Sequence, residues 1–190
     1  MTGNAAFRVH LNEPMQRAGL GGNFARVAAT HDGLTITGES AGSLRLPWST
    51  LHRARVGFTE TTYGLVYEAL LSPAGEPAVR LLPYDHSDLA GYADAMRMLT
   101  RELSANGRAA RIELGISKFE ALFAPVLVGI VAAMAVFIAA FAMHPPRWWH
   151  VIVIPGIPAI AWAILTWRAV HVHWPRALAA MSDLERQLPH

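Results

Sequence analysis

The chain has no cysteine, which excludes disulfides, thiolate nucleophiles and cysteine-based zinc or iron–sulfur sites. Lysine is almost as scarce. Lys118 is the only one, so fifteen of the sixteen basic residues are arginine. Net charge is +2 and charged residues make up 16% of the chain, so there is no broad basic field for nucleic acid, and no nucleic-acid partner is expected. The short signatures of catalysis are missing too: no G-x-S-x-G, no P-loop, no G-x-G-x-x-G and no H-E-x-x-H. No catalytic residue, cofactor, metal site or small-molecule substrate is therefore expected. Histidine is plentiful, at nine, but poorly arranged for ligation. His171 and His173 would be rotated by ~200° on a helix, and His144 with His150 offers two imidazoles without a carboxylate or thiolate. The first residues, through Leu20, lack the basic start and unbroken apolar core of a signal peptide, so the expectation is that the N-terminal domain stays in the cytoplasm.

Set against these absences is one long apolar run. Ala121 to Met143 is 23 residues without a charge, a helix of roughly 34 Å against a hydrocarbon core of about 30 Å. A second apolar stretch runs from Trp148 to Trp167. Together they predict a transmembrane hairpin: helix 1 at 119–143, an external turn at 144–149 and helix 2 at 150–172. Arg101, Arg108, Arg111 and Lys118 precede the first span, Arg147 alone lies between the two, and Arg168 and Arg176 follow. That bias places both termini in the cytoplasm. Trp148 and Trp149 would anchor the outer interface, and Trp167 and Trp174 the inner one. Pro155 and Pro158 predict a kink in the second span. Small residues at Gly129 and Ala133, and at Gly156, Ala159 and Ala163, would let helices approach closely, within the hairpin or between copies.

Residues 1–106 have a different texture. Short alternating runs at Phe7–Leu11, Ala25–Thr30, Leu34–Thr37, Ser43–Leu46, His52–Phe58, Tyr63–Leu71 and Ala78–Leu82 predict seven strands, with Asp32-Gly33 as a hairpin turn. The period then changes. Leu89, Tyr92, Met96, Leu99 and Leu103 recur every three or four residues and predict one amphipathic helix, started by Asp85 or Ser87 and stopped at Asn106-Gly107. A linker at 107–118 and a short amphipathic tail at 173–190 complete the chain.

Asp32-Gly33-Leu34-Thr35-Ile36-Thr37, followed by Leu46-Pro47-Trp48-Ser49-Thr50-Leu51, resembles the strand start and strand-to-strand step of bacterial pleckstrin-homology-like membrane proteins. The likeness covers about residues 5–105. It implies a mixed α and β fold in which an antiparallel PH-like β-barrel or sandwich is closed by a C-terminal helix and followed by two transmembrane α-helices. Members of that family mostly have no assigned activity, and the role expected of this chain is binding or scaffolding at the inner membrane, with the bilayer and a protein partner or a second copy as partners, and no catalysis. Arg53, Arg55, Arg108 and Arg111 are the candidate contacts for a partner or, in the alternative reading, for anionic lipid. A second alternative is a small transporter or channel subunit assembled from hairpins.

Overall fold

The structure, a computed structural model, describes residues 5–62, 64–107, 111–115, 118–142, 148–168, 171 and 174–189. It divides into two units, Met1–Gly115 with Arg176–His190, and Ile116–Pro175.

In the first unit, alternation of apolar and polar residues makes two sheets. Strands β1 (Ala5–His10), β2 (Phe24–Ala29), β3 (Gly33–Gly38) and β4 (Ser43–Pro47) form an antiparallel meander. Phe7, Val9, Ala25, Val27, Leu34, Ile36 and Leu46 face the core while their neighbours turn outward, as the two-residue period of a strand requires. A five-residue helix, α1 (Glu13–Arg17), bridges β1 and β2, capped by the Asn12 side chain and burying Met15. Pro47 and the single turn Trp48–Thr50 end the meander. Trp48 is buried there, and its indole N–H donates to the Thr30 carbonyl at 3.0 Å.

The second sheet has the order β7-β6-β5-β8-β9. Its centre is a long hairpin of β5 (Leu51–Thr61) and β6 (Gly64–Pro73). The short β7 (Val79–Leu81) covers β6 only at 69–71, and β8 (Ile112–Leu114) lies parallel to β5. β9 (Arg176–Ala177) closes the far edge against β8. Helix α2 (Leu89–Ala105) buries Tyr92, Ala93, Ala95, Met96, Leu99 and Leu103 in the shared core. The tail helix α5 (Met181–Glu185) adds Leu184, followed by Leu188. The Arg97 guanidinium grips Glu185 with two bonds of 2.9 and 2.8 Å.

This arrangement corrects the expected barrel. The strands form two sheets, one of them mixed because β8 runs parallel to β5, and no closed barrel. After Leu81 the chain leaves β6 and crosses to β1, where His10 N donates to Leu82 O and Tyr84 N to Arg8 O, both at 2.9 Å. An isolated bridge between Val9 and Pro83 joins the two sheets there.

The second unit contains α3 (Lys118–Ala142) and α4 (Trp148–Arg168), which pack on each other. Gly129 lies against the Trp162 indole. Among the described residues no helix is long and apolar enough to cross a membrane. The expected spans at 119–143 and 150–172 are corrected accordingly, and so are the transmembrane-helix and inner-membrane assignments built on them. Pro125 also stands inside α3, where it removes a backbone donor. Many described side chains of this unit are apolar and exposed, among them Phe123, Ile130, Met134, Phe137, Ile157 and Ile160.

Candidate functional site

Of the four arginines singled out from the sequence, the structure describes Arg53, Arg55 and Arg111, and each has a partner close by. Arg53 and Arg55 lie two apart on β5 and share one face. Glu113, at the middle of β8, stands opposite Arg55 in the parallel pair. The Arg53 guanidinium is ion-paired with Glu113, and Arg55 Nε lies 3.9 Å from the same carboxylate. Arg111 donates to the Leu51 carbonyl at 3.3 Å. Arg108 lies outside the described residues. Two guanidinium groups against one carboxylate leave this face with one net positive charge. Of the proposed tryptophan anchors, Trp167 is exposed and stacks on His171 with ring centroids 5.0 Å apart. Trp174 is half-buried and packs on Ala121. The side chains of Trp148 and Trp149 lie outside the described residues.

The residues that do form a site belong to the place where the two sheets part. A cleft of about 560 Å³ opens there, within the range of ligand-binding pockets. Leu65, Val66 and Tyr67 of β6 form one wall, and Leu82, Pro83 and Leu89 the other. His10, Asp85 and His86 supply the polar groups, and Pro189 of the tail completes the lining. The cleft is therefore mostly apolar, with polar groups gathered at the crossing from β7 to α2.

That crossing is rigidly built. Asp85 and Asp88 form a reciprocal cap for the turn that starts α2. Asp85 Oδ1 accepts from Ser87 N at 2.7 Å and from the Ser87 hydroxyl, while Oδ2 accepts from the Arg8 guanidinium. The Ser87 hydroxyl chiefly, with Arg8 adding, holds the Asp85 carboxyl below its ordinary range. Asp88 is buried and takes both Arg8 N at 2.7 Å and Arg8 Nε at 3.3 Å on Oδ1. Arg8 is itself raised above the usual guanidinium range, chiefly by its bond to Asp88. Its guanidinium lies 5.7 Å from the Phe24 ring centroid and 5.4 Å from that of Tyr84, within cation–π reach. Tyr84 also touches the His10 ring, centroid to centroid 4.8 Å. Behind the wall, Tyr92 is wholly buried, edge-on to Phe7 at 5.7 Å. Burial pushes its phenol up, and its hydroxyl has no hydrogen-bond partner among the described residues.

Both oxygens of Asp85 are committed to Arg8 and Ser87, so this carboxylate holds the loop in place and is not poised as a base. Among the described residues no three histidine, aspartate or glutamate side chains cluster closely enough to hold a metal ion. None of the cleft residues had been singled out as a site from the sequence, since His10, Leu65 and Leu82 come from separate strands. Asp85 was legible only as a helix start. Comparison of the chain with protein-family models, curated proteins and solved structures finds no match.

Proposed function

We propose that the two-sheet unit is a non-catalytic binding module that holds a segment of a protein partner in the cleft between β6 and the β7–α2 crossing. The carrying observation is the cleft itself: apolar walls of Leu65, Val66, Leu82 and Leu89, with His10, Asp85 and His86 at one end. Its frame is fixed in advance by the Arg8, Asp85 and Asp88 network, so little ordering is required when a partner arrives, which favours affinity. Leu65 is half exposed without a partner, the condition of an anchor site waiting to be covered.

The test is selection of peptides from a random display library on the full chain, with counter-selection on Leu65→Arg. Leu65 is exposed at the surface, so the variant keeps the core intact. Peptides that bind the parent chain about tenfold or more tighter than the variant are the expected result. If every selected peptide binds both proteins equally, the cleft is not the binding site.

A further inference from the structure

Strand β6 is paired along one side and half bare along the other. Against β5 its register runs unbroken from Gly64 opposite Thr61 to Ser72 opposite Arg53, and shifts by one residue before Pro73 meets Leu51. Against β7 it is covered only from Ala69 to Leu71. The chain leaves β6 at Leu82 to bond with β1, so the edge at 64–68 faces the cleft with no backbone partner among the described residues. Every second residue of an edge strand directs its N–H and C=O outward, and such a row is a template for another strand. Proteins usually blunt such edges with lysine, proline or inward-pointing charge. Gly64-Leu65-Val66-Tyr67 carries none of these, the one charge of the stretch, Glu68, is taken up by Arg80, and the wall across the cleft, Leu82, Pro83 and Leu89, is apolar.

Resting on the binding role proposed above, we propose that the partner segment binds as an added β-strand on β6 at residues 64–68. The bound segment is extended, four or five residues long, with apolar side chains at alternate positions set between Leu65 and Leu82. It carries no carboxylate at the end that meets Asp85, whose negative charge rims the cleft. Main-chain bonds to β6 supply one part of the recognition and the alternate apolar side chains the other.

The test takes a peptide selected on the full chain and compares it with the same peptide N-methylated at alternate residues, in both possible phases. N-methylation keeps the side chains and removes backbone donors from one edge. Strand addition predicts that one phase weakens binding by about tenfold or more while the other changes it little. It also predicts slowed amide exchange at alternate positions within Leu65–Glu68 when the unmodified peptide is bound. Should both methylated forms bind as well as the parent, with no protection at 65–68, strand addition is overturned while binding in the cleft stands. Loss of discrimination against Leu65→Arg removes both. Concentration-dependent dimerisation of the chain that protects 65–68 without peptide would overturn the proposal in favour of a second copy.

Discussion

The backbone amide of Arg8 donates to Asp88 Oδ1 at 2.7 Å, and the Arg8 side chain returns to the same oxygen through Nε at 3.3 Å. The two residues are eighty positions apart, so one carboxylate fastens the first strand to the start of α2. Asp88 is only 6% exposed. Replacing it with alanine strands a buried amide and loosens the guanidinium, which costs about 1–3 kcal/mol. Asp88→Asn keeps one acceptor and should lose less. Urea unfolding of the two variants checks the order, and equal losses would show that the charge, not the amide bond, carries the contact.

Acid should weaken the same corner. Asp85 is held below its ordinary carboxylate range, first by the Ser87 hydroxyl and further by Arg8. The unfolded chain therefore takes up this proton before the folded one does. The stabilisation is complete above about pH 4, the unfolded value, and is lost as pH falls through the lower folded value. In Asp85→Asn that component is missing. The difference in urea midpoint between wild type and variant should shrink as pH falls from 6 towards 3. A constant gap across the range would mean that Asp85 acts through its cap geometry alone.

Much of this corner was hidden in the sequence for a physical reason. The seven runs of alternating residues do become β1 to β7, and the face predicted from Tyr92, Met96, Leu99 and Leu103 is the buried face of α2. Local periodicity is enough for both. Sheet closure depends on where non-local hydrogen bonds go, and no local period reports that the chain turns from β6 to β1 at Leu82. The parallel β8 was read as linker because three residues, Ile112–Leu114, are too few to show a period. Its Glu113 then occupies Arg53 and Arg55, which on sequence alone looked available. The apolar run from Ala121 was read from composition and length, and the described residues of α3 and α4 do not make a spanning helix.

Tyr92 offers a substitution expected to help. Its hydroxyl is buried without a hydrogen-bond partner among the described residues, and an unsatisfied group of this kind costs about 1–3 kcal/mol. Tyr92→Phe removes the hydroxyl and keeps the ring edge-on to Phe7, so stability should hold or rise by up to about 1 kcal/mol. The phenol is also pushed up by burial. The folded state therefore resists its ionisation, and stability present below about pH 10 is lost as the solution becomes more alkaline. Tyr92→Phe should lessen that alkaline loss. Thermal unfolding at pH 7 and pH 11 tests both, and a less stable variant at pH 7 would reveal a partner for the hydroxyl.

Gly91 decides how closely α2 approaches β1. A methyl group there would stand 2.3 Å from the Ala6 carbonyl oxygen and 3.1 Å from Phe7 Cβ, and the first of these is backbone that cannot swing aside. Two effects of Gly91→Ala oppose each other. Alanine favours the helix over glycine by about 1 kcal/mol, while overpacking a tight contact costs typically 1–3 kcal/mol. The clash is with main chain and lies two residues from Leu89 of the cleft wall, so the second effect should win. The variant should be destabilised by about 1–2 kcal/mol, and peptides selected on the cleft should bind it more weakly as Leu89 moves with the helix. Urea unfolding and peptide titration on the same protein separate the two consequences. A variant as stable as the parent would show that α2 yields to the added methyl, and unchanged peptide affinity would then show that the cleft wall does not depend on the helix's approach to β1.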